Sequence, residues 1–318
     1  MLCHWHWIGE VLKDATEDEA DRRIADFADQ VTALKEDGRK LVWTLHNLLP
    51  HDSPMPERDL ELRRILISNA DAIHTMTKGT VEIARSAFSL PEEKIFYTPH
   101  PSYEGAYPDV VSREDARGEL GIGRDAFVFV IFGAIARYKG VQDLLKAFER
   151  FMEGNRSRPV KLIIAGAPSD PELEFEIRSR ALERDDIIIE LGRVAIDDVQ
   201  YYFRAADAAV LPYREVLNSG SAMLALTFGL PIIVPRIGAF VELVTEYAGI
   251  SYDPADDDGL EWAMEEAMKL DPGRARRRIE TRIDAVSPAL ISGRFLDGLF
   301  ETIGWPARGQ DRAAGVTT

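Results

Sequence analysis

The stretch FVFVIFGAIARYKG, residues 127–140, decides the fold. Its first part is an unbroken apolar run of aromatic and β-branched residues, the pattern of a strand buried on both faces of a parallel sheet. The run passes through a glycine and a short basic connection into VQDLLKAFERFM (141–152), where Leu144, Leu145, Phe148 and Phe151 share one helical face. Strand, turn and amphipathic helix open a βαβ unit. The unit recurs downstream. VKLIIAG (160–166), IIIELG (187–192), AAVLPY (208–213) and PIIVP (231–235) read as further apolar strands separated by helical segments. Together they predict a Rossmann-like α/β domain.

Working outward, the first hundred residues are thinner in strands. LCHWHW (2–7), KLVWTL (40–45), AIHTM (72–76) and IFYTP (95–99) are the candidates, with an acidic helix over 17–37 between the first two. PHPSYEGAYPDVVSRED (99–115) is rich in Pro and Gly and has no period, so the domain junction is placed there. The expected organisation is a reduced N-terminal Rossmann-like domain over 1–108, a second Rossmann-like domain over 109–305, and a disordered tail over 306–318. The chain has 318 residues, enough for two ordinary domains, and no internal repeats.

Composition narrows the function. A hydrophobic share of 46% with 29% charged residues is that of a soluble globular protein. No stretch approaches the roughly 18 apolar residues of a membrane span, and the opening MLCHWHWIGE lacks a signal peptide's basic head and apolar core, so a cytoplasmic location is expected. The single cysteine, Cys3, excludes an internal disulfide framework and a cysteine-based zinc site. A net charge of −16 argues against nucleic acid as a partner. GRARRR (273–278) is the one basic run that suits contact with an anionic membrane surface, although such runs are ordinarily the solvated face of a helix.

Two segments carry chemistry. Arg137 and Lys139 follow the first strand of the second domain at its carboxyl end, where open α/β sheets bind ligands. Two cations there suit a pyrophosphate, the guanidinium gripping oxygens in pairs and the ammonium acting as a point charge. Alone, the pair also reads as solvated loop cations. The second segment, PYREVLNSGSAMLALTFGLP (212–231), leads from a strand through NSGS (218–221) into an apolar helix. Small residues and free N–H groups at a helix start form an anion site. In isolation it also reads as a plain N-cap by Asn218 or Ser219.

In combination these segments resemble the retaining GT-B glycosyltransferases, specifically family 4 of that class. The resemblance covers roughly residues 40 to 305 and is strongest where strand–RxKG–helix, LIIAG, LGRV, YYFRAADAAVLPY and FGLPIIV occur in the family's order. It implies a GT-B fold of two Rossmann-like domains and transfer of a hexose-type sugar from a nucleotide diphosphate donor, with retention, to a glycan, glycolipid or small-molecule acceptor. It implies that Arg137 and Lys139 hold the donor diphosphate and stabilise the leaving group. Gly133 belongs with the donor-binding residues, Arg193 and Val194 border the nucleobase, and the backbone of Asn218, Ser219, Gly220 and Ser221 faces the distal phosphate. His46, after an N-domain strand, falls where the family's histidine approaches the donor sugar; a histidine there also serves as an ordinary structural hydrogen-bonder. No metal and no cofactor beyond the nucleotide sugar is implied.

Two departures stand out. The family carries Glu-x7-Glu before Gly-Leu-Pro. Glu215 fits the first glutamate with a slip of one residue, while the second falls on Met223 or Leu224, so the family's ribose contact is missing. The family also opens with a strand and Gly-rich loop that this sequence lacks before LCHWHW, which means a reduced N-domain or a lost start. A sheet of about four strands is therefore expected there, short for such a domain, with an exposed edge near Trp5 and Trp7 that invites a homodimer or another partner. WHW (5–7) otherwise reads as core packing rather than as a stacking platform for sugar. Asp256–Asp258 in DPADDDGLEWAM reads as acids capping the next helix rather than as a metal site, and the histidines show no zinc spacing. Two alternatives accompany the transferase reading: a nucleotide-sugar epimerase, for which carboxylates are lacking, and a non-catalytic nucleotide-sugar-binding or partner subunit derived from such an enzyme.

Overall fold

The computed structural model describes residues 1–50, 53–154 and 158–306. All of the expected 306–318 tail but Pro306 lies outside the described residues. The chain divides into two compact units, one of Met1–His100 with the stretch beginning at Ala289, the other of Pro101–Pro288.

The first unit alternates β1 (Leu2–Trp5), α1 (Glu17–Glu36), β2 (Lys40–Thr44), α2 (Pro56–Asn69), β3 (Ala72–Thr75), α3 (Thr80–Ala84) and β4 (Ile95–Tyr97). Its sheet is parallel, ordered β1-β2-β3-β4, the four strands that the sequence predicts. Helix α1 starts at a capping box, with the Thr16 hydroxyl accepting from Glu19 N–H and the Glu19 carboxylate accepting from Thr16 N–H. Its Ala20, Ile24, Phe27 and Val31 recur at helical spacing and are buried.

The second unit continues with α4 (Arg113–Glu119), β5 (Phe127–Phe132), α5 (Val141–Gly154), β6 (Val160–Ala165), α6 (Pro171–Ala181), β7 (Ile187–Glu190), α7 (Val199–Ala205), β8 (Ala208–Val210), α8 (Gly220–Thr227), β9 (Ile232–Pro235), α9 (Gly238–Glu246), β10 (Gly249–Tyr252), α10 (Gly259–Met268) and α11 (Pro272–Ile283). Its parallel sheet runs β10-β9-β8-β5-β6-β7. The core gathers Phe129, Ile131, Leu162 and Ile164 with Leu144, Phe148 and Phe151 of α5. Strand β10 is an addition to the five expected. Its GISY holds a glycine and a serine and is only half-buried at the sheet edge, so it lacks the apolar run that marks the others.

The last helix, α12 (Pro288–Ile303), departs from the expected 109–305 domain. Leu299 is fully buried with Val42, Ala72 and Phe96 of the four-stranded sheet, and Phe295, Phe300 and Ile303 pack around them. Gly298 permits the approach, since a Cβ there would stand 3.1 Å from the Phe96 ring. The basic run lies on α11, where Ala275 and Ile279 are buried while Arg274, Arg276, Arg277 and Arg278 face outward. The Asp256–Asp258 run forms a turn. Asp256 Oδ1 accepts from the N–H of Asp258, and Asp258 occupies the N-cap of α10 without a side-chain cap bond, so the expected capping is positional only.

Candidate functional site

The six-stranded sheet changes direction beside β5. The chain moves outward from β5 through β6 to β7, then returns to the other flank of β5 as β8. Diverging connections leave a crevice at the carboxyl ends of β5 and β8, the usual ligand position in such sheets. Both segments singled out in the sequence lie there.

Leaving β5, Gly133 adopts φ +106°, and a Cβ on it would stand 3.2 Å from Ser221 Oγ and 3.9 Å from Lys139 Nζ. Three expected site residues from two distant segments thus converge on one bare stretch of backbone. Gly166, at the end of β6, is pressed against it: a Cβ there would lie 1.8 Å from the Gly133 carbonyl oxygen. The turn at Arg137–Lys139 closes on Gly140, whose φ of +70° and whose contact with the Pro212 carbonyl exclude a side chain.

Lys139 is buried, 9% exposed. Its ammonium has no ion-pair partner among the described residues and sits 5.4 Å from the centre of the Tyr213 ring. Burial lowers its pKa, because a desolvated ammonium without a counter-charge is unfavourable. Ser219 caps α8, its hydroxyl accepting from Ala222 N–H at 3.2 Å. Gly220 and Ser221 therefore present helix-start N–H groups beside Lys139 and Gly133. The Tyr213 hydroxyl is completely buried and has no well-formed hydrogen bond; burial pushes its pKa up to about 12, against the opposing influence of the Ser221 and Ser219 hydroxyls. A buried cation, helix-start donors and a buried hydroxyl around glycine backbone are groups that can hold an anion.

The other expected residues are distributed around this centre. Arg137 is turned to the β6–α6 connection, where its Nη2 donates to Asp170 Oδ1 and Glu172 Oε2, each at 2.9 Å. The Asp170 hydrogen bond holds its pKa above the usual arginine value. Arg193 is exposed and Val194 half-buried in the turn after β7, which is tied to β6 by Gly192 N–H donating to the Gly166 carbonyl at 3.1 Å. Asn218 is half-buried and Glu215 exposed in the β8–α8 loop. Met223 and Leu224, where a second glutamate would fall, are buried on α8 and supply no carboxylate.

His46 lies in the first unit, after β2. Its ring stacks on Trp7 with centroids 4.0 Å apart, and its Nε2 is 2.9 Å from His6 Nδ1. Burial, then the neighbouring His6, lowers its pKa to about 4. Trp7 is 62% exposed, which corrects the reading of WHW as core packing. Trp5 is half-buried, edge-on to Phe27. The sequence reading missed a polar ladder crossing this sheet: His4 Nε2 to Thr44 Oγ1 (2.7 Å), Thr44 Oγ1 to His74 Nδ1 (3.1 Å), and His74 Nε2 to Thr98 Oγ1 (2.6 Å). One polar residue within or just beyond each apolar strand was the available signal. Among the described residues no group of three or more His, Cys, Asp or Glu can hold a metal ion, and no helix is long and apolar enough to cross a membrane.

Two parallel α/β sheets, the larger with a glycine-lined crevice at its switch point, make a fold of GT-B type. The family described as "Glycosyl transferases group 1" matches residues 112–284, and the chain belongs to it. Among curated proteins it is similar to a D-inositol 3-phosphate glycosyltransferase of Pseudarthrobacter chlorophenolicus, 28% identical over 212 residues covering 63% of this chain and 50% of that one. It is also similar to a GDP-mannose:glycolipid 4-beta-D-mannosyltransferase of Xanthomonas campestris pv. campestris, 25% identical over 236 residues covering 74% and 61%. The chain thus spans about half the length of the curated relatives it matches. In fold it resembles sucrose-phosphate synthase from Thermosynechococcus elongatus, with TM-score 0.71, 19% identity, and coverage of 94% of this chain and 74% of that chain. Anabaena HepE in complex with UDP gives TM-score 0.70, 16% identity, and coverage of 87% and 77%.

Proposed function

We propose that the chain is a retaining, metal-independent hexosyltransferase of family 4 type, working in the cytoplasm on a nucleotide diphosphate sugar. The observation that carries this is Lys139: an ammonium buried without a counter-charge, beside Gly133 and the Ser221 end of α8. A donor diphosphate would supply the missing charge. As the bond from the anomeric carbon to the diphosphate breaks, the leaving oxygen gains negative charge, and fixed donors stabilise it. The acceptor's oxygen bonds to the anomeric carbon on the same face that the diphosphate leaves and passes its proton to the leaving phosphate, so no separate general base is needed. Glycan, glycolipid and small-molecule acceptors all suit the reading; the relatives' names include D-inositol 3-phosphate and a glycolipid.

Lys139→Ala is expected to abolish binding of nucleoside diphosphates, measured calorimetrically over a panel of bases, while circular dichroism stays unchanged. Undiminished affinity removes the reading. Turnover of the matching donor is expected to survive EDTA; loss restored by magnesium or manganese removes metal independence. A second reading, a nucleotide-sugar-binding partner subunit without turnover, is favoured by one observation, the apolar Met223 and Leu224 at the carboxylate position. Donor binding with no sugar transfer or donor hydrolysis would select it.

A further inference from the structure

Tyr213 leaves β8 for the loop that leads to α8, and three of its features meet beside Gly133. Its ring lies 5.4 Å, centroid to Nζ, from the Lys139 ammonium. Its side chain is buried, with the Tyr138 ring at 5.9 Å and the Phe240 ring at 5.4 Å. Its hydroxyl is closed off without a well-formed hydrogen bond, although the Ser221 and Ser219 hydroxyls act on it. We propose that Tyr213 is a positioning residue: its ring steadies the Lys139 ammonium while no anion is bound, and its hydroxyl turns the Ser221 proton towards an arriving phosphate. The word phosphate rests on the transferase reading; the contact of ring and ammonium does not.

The ring answers the question that a buried ammonium raises. No carboxylate pairs with Lys139 among the described residues, and the charged groups nearby in the chain are turned elsewhere. Arg137 donates to Asp170 and Glu172, and Arg214, next after Tyr213, donates to Asp143. Glu215 is exposed. The titratable groups left beside the ammonium are Tyr138, its chain neighbour, and Tyr213. An aromatic face attracts a cation within about 6 Å of its centre through the ring quadrupole. A carboxylate in this place would have to be displaced by an incoming anion, whereas a neutral ring stays where it is. Tyr138 and Phe240 fix that ring, so the ammonium is held without a competitor for its ligand.

The hydroxyl answers a second question. Burying an O–H without a full hydrogen bond is unfavourable, and native structures do so rarely. Burial pushes this phenol up to about 12, so its proton is present to donate throughout the neutral range. Ser219 Oγ already accepts from Ala222 N–H, which leaves Ser221 Oγ as the freer acceptor. Ser221 Oγ faces Gly133, 3.2 Å from where a Cβ on that glycine would stand. A serine hydroxyl that accepts from a tyrosine must direct its single proton elsewhere. The side chain that Gly133 lacks leaves that direction open, on the side where Lys139 Nζ also stands.

Two measurements on the full chain test this: lysine-selective NMR of the ligand-free protein, with the Lys139 signal assigned through Lys139→Arg, and calorimetry with inorganic pyrophosphate and with UDP, GDP and ADP. Tyr213→Leu, or Tyr213→Met if leucine impairs folding, is expected to lower the Lys139 titration midpoint by about 0.4–1.5 pH units, the worth of a cation–π contact. Tyr213→Phe keeps the ring and should leave that midpoint in place while weakening pyrophosphate binding about two- to tenfold. Ser221→Ala should weaken it likewise, and Tyr213→Phe/Ser221→Ala should be no weaker than Ser221→Ala alone, because the hydroxyl acts through Ser221. An unmoved midpoint without the ring, parental pyrophosphate affinity in Tyr213→Phe, or full additivity in the double variant each overturns the inference. Pyrophosphate binding without any nucleoside-diphosphate binding, with the variants behaving as expected, removes the transferase reading and leaves Tyr213 in its role. Nucleotide binding at parental strength in every variant removes the role of Tyr213 alone, and a parent chain that binds neither ligand removes both.

Discussion

At the carboxyl edge of the six-stranded sheet the chain buries a cation, whereas the four-stranded sheet holds buried and half-buried imidazoles biased to the neutral form. Lys139 stands without a counter-charge among glycine backbone and a helix start. His46 stacks on Trp7 and is hydrogen-bonded to His6, beside a ladder of threonine and histidine. Both sheets are parallel with helical crossovers, but only the six-stranded one reverses its strand order beside a central strand, so the switch-point crevice is its own. The residues at each edge then decide whether it stores charge or excludes it. A desolvated ammonium is an unfavourable state that an anion relieves, whereas a satisfied neutral network is stable as it stands.

The largest expected effect breaks the charged side of this comparison mechanically. Gly166→Ala would drive a Cβ to 1.8 Å from the Gly133 carbonyl oxygen, backbone against backbone, from a φ of +140° that side chains rarely adopt. A cost on the order of 3 kcal/mol or more is expected, read as a lowered urea midpoint together with loss of nucleotide binding. A melting curve matching the parent would mean that β5 and β6 do not close as described. Gly133→Ala is milder, since its contacts are the movable ends of Ser221 and Lys139. It should keep the fold and weaken diphosphate binding about tenfold, equivalent to about 1.4 kcal/mol.

The neutral side is tested by acid. His74 is lowered to about 3 and His4 and His46 to about 4, burial being the first cause in each case. Unfolded, each would titrate near 6.5. Between these values the unfolded chain binds more protons than the folded one, so stability is fully present above about pH 6.5 and is lost as pH falls towards 4 and below. Thermal melts across this interval should therefore slope steeply, and His74→Gln should flatten the slope. A parent chain whose melting temperature is level from pH 7 to 4 would show that these imidazoles are not held neutral. His74→Ala at pH 7.5 leaves the Thr44 and Thr98 hydroxyls without their shared partner, and should cost about 1–3 kcal/mol.

How much of this was legible in the sequence follows from the range of the signal. Apolar runs are local, so β5 through β9 and all four strands of the first sheet could be read directly; Lys139 and Ser221 were named because each lies at a strand end or helix start, and Gly133 through the family resemblance. Strand β10 was lost because GISY has no apolar run. The amphipathic pattern of α12 reveals a helix but not which sheet receives Leu299. The ladder of His4, Thr44, His74 and Thr98 joins residues on or just beyond four strands, and nothing in the sequence fixes their mutual register. Trp7 was misassigned because tryptophan is usually buried, a preference of composition that does not see the stacked His46.

Arg137 is where the two readings of the charged site diverge, and the smallest expected effect bears on it. Its guanidinium is occupied by Asp170, which also caps α6 by accepting from Leu173 N–H at 2.8 Å, and by Glu172, 86% exposed at its side chain. If Arg137 serves the donor diphosphate, the phosphate must compete with these carboxylates, and Glu172 is the easier to displace because water readily replaces it. Glu172→Gln should then raise nucleoside-diphosphate affinity by about two- to fivefold, the scale of an exposed ion pair at no more than about 1 kcal/mol. The gain should vanish in Arg137→Ala/Glu172→Gln, because the competitor matters only through Arg137. If Arg137 is instead a structural tie between the β5 connection and α6, Glu172→Gln leaves affinity unchanged and Arg137→Ala lowers the melting temperature without touching nucleotide binding. Calorimetric titration of the single and double variants at low and high salt separates these outcomes, since a gain from released charge competition shrinks as screening increases.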